Sequence, residues 1–366
     1  MYKILHIYKD YHPILGGIEN HIKALAEAQA NVGHDVTVLV TNPGGEKRDV
    51  LLNGVRIIRA RRLATVASTP LSLDLPRQAA RLQPDITHLH FPYPVGEVSQ
   101  LLLGRKRPFI VSYHCDVVKQ KNILRFYSPL LKRALSTTSH ILVSNDNYVQ
   151  SSTWLPPFAQ KCTTIPYSVD LVRFSGDDAP LMPPVAEPTL LFMGRHRYYK
   201  GVDTLIEAMV EVNGRLLIGG DGPERTNWER LTAELGLQSR IQFLGDIADA
   251  DLPAFYASGD IFVLPANSRA EAFGLVLQEA MASGLPCVTS ELGTGTSWLV
   301  QDGVSGFVVP PQQPEALAAA LNRLISEPDL RMKMGQAGQE RARREFGLQT
   351  MLQKIEQVYT TSCSID

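Results

Sequence analysis

Residues 189–210 read TLLFMGRHRYYKGVDTLIEAMV. The first five form an apolar run of strand length, and residues 202–212 place apolar side chains at helical spacing. Between them lies a short loop rich in glycine and cations. Strand, loop and helix in that order make the repeating unit of a parallel α/β domain. Immediately before this stretch, residues 175–188 read SGDDAPLMPPVAEP, and four prolines with Gly and Asp predict a linker.

The same alternation lies on both sides of the linker. Upstream, strands are predicted at 3–8, 35–41, 55–60, 85–90, 108–113 and 140–144, with helices at 18–31 and 123–135 among them. Downstream, strands are predicted at 215–218, 241–244, 261–264 and 286–289, with helices at 224–235, 251–257 and 274–283. The tail from 314 is helical and charged. A chain of 366 residues is long enough for two cores. The fold class expected is α/β: two doubly wound, Rossmann-like domains facing a cleft. Ligands of such sheets bind beyond the carboxyl ends of the strands.

Composition narrows the function classes. The opening MYKILHIYKD breaks into charge at once, which predicts no signal peptide. No apolar run approaches the ~18 to 20 residues of a membrane span. Cys115, Cys162, Cys287 and Cys363 are scattered, so neither a zinc site nor a disulfide framework is expected, and a reducing, cytoplasmic setting fits. The net charge of −1 divides into +9 for residues 1–173 and −10 for the rest. The basic half suits an anionic partner, such as a membrane surface or a pyrophosphate-bearing acceptor, and equally suits clustered solvated charge. No basic stripe with interleaved aromatics is present, so no nucleic-acid partner is expected.

Four clusters carry candidate chemistry. Gly16 and Gly17 lie between the first strand and a helix, where glycine lets the backbone approach a ligand and helix amides can receive an anion. A plain tight turn is the alternative, and neither GxGxxG nor a P-loop is present. Gly194, Arg195 and Lys200 sit in the loop of the opening stretch. Arg195 offers a planar fork and Lys200 a point charge, a pair suited to a diphosphate leaving group. Read alone, they are equally ordinary surface cations. Glu271 and Glu279 flank Phe273-Gly274-Leu275, a predicted strand-to-helix turn, and carboxylates there can accept sugar or ribose hydroxyls. By spacing alone they could be solvent-facing helix glutamates. His114 ends a strand, where it either meets a sugar hydroxyl or is structural; His12, His21, His88 and His90 rank below it for any acid–base role. Asp249-Ala250-Asp251 spells DxD, but it precedes a helix and is read as capping rather than as a metal site.

Taken in order, these pieces resemble the retaining GT-B glycosyltransferases of family four. The matching pieces are Gly16-Gly17, His114, IPYSVDLVRF (165–174), GRHRYYKGVDTLIEAM (194–209), GGDGPER (219–225), FLGD (243–246) and EAFGLVLQEAMASGLPCV (271–288). The family usually has Asn-Gly where this chain has Tyr167-Ser168, a departure near the hinge that leaves the site assignment intact. The resemblance implies domains at 1–174 and 189–345, joined by 175–188, with a last helix (346–366) crossing back to the first. It implies that Gly17 closes over the donor phosphates, with Gly16 and Gly220 also lining the site. Arg195 and Lys200 would bind the diphosphate, and Glu271 the donor sugar. Amides at Phe273, Gly274 and Leu275 would contact sugar or phosphate, Glu279 the ribose, and His114 would stand beside the reacting carbon. The base would lie near FLGD. Such enzymes retain the anomeric configuration and use neither metal nor cofactor.

The tract ELGTGTSWLVQDGVSGFVVP (291–310) looks most like bacterial mannosyl- and rhamnosyltransferases of O-antigen synthesis, which implies a GDP-mannose or GDP-rhamnose donor and a lipid-linked saccharide acceptor. Residues 119–135 mix Lys and Arg with Leu, Ile, Phe and Tyr, which suits either a helix on an anionic membrane surface or one packed on its domain. UDP-glucose or UDP-N-acetylglucosamine is the alternative donor, and an inactive nucleotide-sugar-binding protein the alternative class.

Overall fold

The computed structural model describes residues 1–14, 16–44, 47–66, 69–103, 107–116 and 121–364. They form two compact units. One comprises Met1–Ser168 with Leu348–Asp366, the other Val169–Gly347. The chain engages the second unit as soon as it leaves the first: Val169 N donates to Phe346 O at 2.9 Å. Residues 175–188 therefore run along the second unit. Leu181 N donates to Ala254 O and Met182 N to Ser258 Oγ.

The first unit is built on an eight-stranded sheet. Its order is Cys162–Thr164, His140–Val143, Phe109–Tyr113, Ile86–Phe91, Lys3–Ile7, Asp35–Asn42, Val55–Arg61 and Asp49–Leu52, parallel except for the last strand. Ile4, Leu5 and Ile7 are all buried, as expected of a parallel strand covered on both faces. The antiparallel edge strand was not predicted, although its turn was readable. Asn53-Gly54 joins the two strands with both residues at positive φ (48° and 80°), the backbone that a two-residue hairpin needs. The last helix, Leu348–Cys363, belongs to this unit and buries Met351, Leu352, Ile355 and Tyr359 along one stripe.

The second unit has six parallel strands in the order Ile241–Gly245, Arg215–Gly219, Thr189–Met193, Ile261–Leu264, Cys287–Ser290 and Gly306–Val309. Within the unit this is 3-2-1-4-5-6, the doubly wound Rossmann order. Its switch point lies between Thr189–Met193 and Ile261–Leu264, so the loops leaving those two strands define the ligand crevice of this sheet.

Among the described residues, no helix is long and apolar enough to cross a membrane. Residues 119–120 and the side chains of 121–126 lie outside the described residues. The remainder of that helix (Lys121–Thr137) buries Leu131, Ala134 and Leu135, and Tyr127 donates to the buried Glu97 carboxylate. This half is packed on its domain.

Candidate active site

In the second unit, the loop after Thr189–Met193 carries Gly194, Arg195 and Lys200, and the loop after Ile261–Leu264 carries Glu271. The switch point brings them together: Lys200 Nζ stands 2.6 Å from Glu271 Oε2, and each side chain is only 11% exposed. Burial alone would push the Lys200 ammonium down, but the adjacent Glu271 carboxylate outweighs it and holds it above the ordinary lysine range. Arg195 is exposed and, among the described residues, has no ion-pair partner. One cation is thus preorganised and one is available.

The backbone around Lys200 is closely fitted. Gly194 N donates to Gly219 O at 3.2 Å. Gly220, at φ 103°, has so little room that a Cβ there would lie 2.2 Å from Gly194 O. A Cβ at Gly194 would in turn meet Lys200 Nζ at 3.4 Å.

The second glutamate lies on the helix Leu275–Ala282, which opens from Gly274 in the left-handed region (φ 89°). Phe273 is buried and Leu275 half-buried. Glu279 is half-buried, and burial raises its carboxyl to about 7, with Tyr256 and Arg173 partly offsetting the shift. Tyr256 Oη donates to Glu279 Oε2 at 2.6 Å. No spacing signal pointed to Tyr256, because the contact spans 23 positions between two separate helices. Thr294 is a second residue that the sequence did not single out. Its buried hydroxyl donates to Glu271 O at 3.0 Å, and Gly295 N donates to Ala272 O. The 291–310 tract, read above for donor preference, therefore also holds the Glu271 loop in place.

The capping role expected of Asp249 and Asp251 is not observed. Both lie in a 3-10 turn, neither side chain caps the following helix, and the Asp249 carboxylate pairs with Arg173 at 3.0 Å. Asp251 occupies the N-cap position but with helical rather than extended backbone (φ −94°, ψ −4°), which turns its carboxylate away from the cap.

In the first unit, Gly16 is the N-cap of Gly17–Asn31 in extended backbone, and Gly17 is exposed. The Glu19 carboxylate folds back over this turn, and a Cβ at Gly16 would fall 2.2 Å from its oxygen. An acidic side chain thus already stands at the helix end expected to receive an anion.

His114 departs from its expected setting. It is 3% exposed and both ring nitrogens are taken, Nε2 by His90 Nδ1 at 3.0 Å and Nδ1 by Tyr167 Oη at 2.5 Å. Neither nitrogen is available to a sugar hydroxyl in this arrangement. Tyr167 is one of the two positions that depart from the family pattern, so the departure does touch the assignment of His114. His88 and His90 are fully buried beside it, as is His6. The strand period of two places 88 and 90 on one face, and the register sets His6 opposite His88. Burial, and then the neighbouring histidines, hold His88 and His90 well below the ordinary histidine range; burial brings His6 to about 4.

Comparison with known proteins agrees with this architecture. Residues 15–173 match the family Glycosyltransferase Family 4, and residues 177–341 match Glycosyl transferases group 1. The O-antigen chain mannosyltransferase C of Escherichia coli is 33% identical over 98% of both chains. D-rhamnosyltransferase WbpZ of Pseudomonas aeruginosa is 33% identical, covering 94% of this chain and 92% of its own. Among solved structures, a sucrose-phosphate synthase from Thermosynechococcus elongatus superposes with a TM-score of 0.81 at 23% identity, covering 99% of each chain. The UDP complex of HepE from Anabaena gives 0.79 at 21%, covering 98% of this chain and all of that one. The fold is GT-B, and the chain belongs to the family 4, group 1 glycosyltransferases.

Proposed function

We propose that the chain is a retaining, metal-independent hexosyltransferase that moves mannose or rhamnose from a GDP-linked donor to a lipid-linked saccharide in cell-surface polysaccharide synthesis. It would work in the cytoplasm, peripherally on the inner membrane face. The observation that carries this reading is the buried Lys200–Glu271 pair at the switch point of the second sheet. A cation there faces the leaving diphosphate, whose negative charge grows in the transition state, and a carboxylate beside it accepts hydroxyls of the donor sugar. Arg195 supplies the second cation, the amides of Phe273, Gly274 and Leu275 the remaining contacts, and Glu279 the ribose contact. The held Lys200 and the available Arg195 would do the electrostatic work that other transferases assign to a divalent ion. The similarity to an O-antigen chain mannosyltransferase and to a D-rhamnosyltransferase supports the mannosyl or rhamnosyl reading.

Melting temperatures measured with GDP, UDP and ADP in parallel test the reading, because a ligand that binds the folded state raises the transition. A shift with GDP that persists in EDTA is expected. A shift with UDP alone would overturn the donor, dependence on Mg²⁺ or Mn²⁺ would overturn the metal-free site, and no shift would remove the nucleotide site.

A further inference from the structure

Beneath the helices Gly17–Asn31 and Leu348–Cys363, the first sheet carries an unbroken row of buried polar groups. Gln29 Oε1 lies 2.7 Å from His6 Nε2; His6 Nδ1 lies 3.0 Å from His90 Nε2; His90 Nδ1 lies 3.0 Å from His114 Nε2; and His114 Nδ1 lies 2.5 Å from Tyr167 Oη. A branch starts at the same amide. Gln29 Nε2 donates to Tyr359 Oη at 3.1 Å, and Tyr359 Oη lies 2.6 Å from His88 Nδ1, whose Nε2 is 2.8 Å from Ser112 Oγ. Gln29, His6, His88, His90 and Tyr359 are all 0% exposed.

A neutral imidazole has one N–H and one lone pair, so each nitrogen-to-nitrogen contact dictates the next. With its amide nitrogen given to Tyr359, Gln29 can only accept from His6, which must carry its proton on Nε2. His6 Nδ1 then accepts from His90 Nε2–H, and His90 Nδ1 from His114 Nε2–H. His114 Nδ1 is left to accept the Tyr167 hydroxyl proton. Along the branch, Tyr359 donates to His88 Nδ1, and His88 Nε2–H donates to Ser112. The amide orientation sets every proton position along the main row; on the branch, the alternative with His88 Nδ1–H donating to Tyr359 would leave the buried Tyr359 hydroxyl proton without an acceptor among these groups.

We propose that Gln29, His6, His90, His114 and Tyr167 form a single hydrogen-bonded chain of uniform polarity, in which the Gln29 amide locks the tautomer of each histidine as far as His114. Burial supports neutrality throughout, holding His6, His88, His90 and His114 below the ordinary histidine range. His6, His88 and His90 also have ligand atoms within 4.8 Å of one another, a spacing that could hold a metal. All six of their ring nitrogens already have protein partners, so a metal would have to dismantle the chain.

Long-range ¹H–¹⁵N spectra of the full chain at pH 7 test the proposal without any substrate. The expected result is His6, His88, His90 and His114 all neutral and all protonated on Nε2. Mixed tautomers, all four on Nδ1, or any imidazolium would overturn it. So would displacement of the His6, His88 and His90 signals by equimolar Zn²⁺, which would make the cluster a metal site. Gln29→Glu gives a sharper readout. A carboxylate only accepts, so Tyr359 must turn its proton toward it. His88 alone should then switch to Nδ1–H, and His6, His90 and His114 should not move. If that variant fails to fold, Tyr167→Phe decides: it removes only the terminal donor, so all four histidines should stay protonated on Nε2, and a switch of His114 to Nδ1–H would overturn the lock set by Gln29.

Discussion

Glu279 illustrates how one residue's surroundings set a measurable property. Burial raises its carboxyl to about 7, although Tyr256 donates to it. In the proposed ribose contact the hydroxyls would donate to the ionised form, so bound nucleotide would favour deprotonation. Affinity should therefore rise with pH through that value, by about tenfold between pH 6 and 8. Titration calorimetry of GDP across that range checks this. In Glu279→Gln only the nucleotide's own phosphate titration should remain, and an identical profile in the two proteins would remove Glu279 from the ribose site. Lys200 and Glu271 are legible at the same scale as residue types, a cation and a carboxylate at strand ends. Their 2.6 Å pairing is not, because 71 residues separate them and only the strand order makes them neighbours.

At the scale of elements, the loops leaving Thr189–Met193 and Arg215–Gly219 are held back to back. Gly220 requires both its positive φ and the absence of a side chain, since a Cβ would reach within 2.2 Å of the Gly194 carbonyl. Gly220→Ala should cost about 2 kcal/mol and weaken nucleotide binding together, because the displaced Gly194 loop carries Lys200. Urea unfolding and nucleotide affinity measured on the same preparation test this, and a variant equal to wild type in both would show that the loop yields freely. Most element positions followed from local pattern. Strands 189–193 and 261–264 were predicted to the residue, because short apolar runs bounded by polar turns leave little latitude. The edge strands Asp49–Leu52 and Gly306–Val309 escaped, since each opens on a turn-favouring residue, Asp or Gly, that blurs its start against the adjoining loop.

For the molecule as a whole, the buried histidines predict acid sensitivity. A histidine held neutral in the folded state has a folded pKa below the unfolded value of about 6.5. The unfolded chain then binds protons that the folded chain refuses, and stability falls as pH drops below 6.5 toward the folded value, about 4 for His6. His6, His88, His90 and His114 should each cost about 1 kcal/mol between pH 7 and 5.5. Glu97 and Glu279, both raised to about 7 by burial, act with the opposite sign, as do Glu19 and Glu356, while His21, brought by burial to about 3, adds to the loss. Denaturant midpoints at pH 7 and 5.5 should show the loss, and a flat profile would mean that these histidines are not buried neutral.

By itself, the sequence determined the alternation of strands and helices, the two-domain α/β class and the identity of the residues that define the glycosyltransferase family. These are properties of local periodicity and of residue type in order along the chain. Only the tertiary structure decided which side chains meet. Parallel sheets place sequence-distant strands side by side, so the Lys200–Glu271 pair, the Tyr256 contact to Glu279 and the histidine row ending at Tyr167 depend on strand order and register. A period of two tells which face a residue takes, but not which neighbour it finds there.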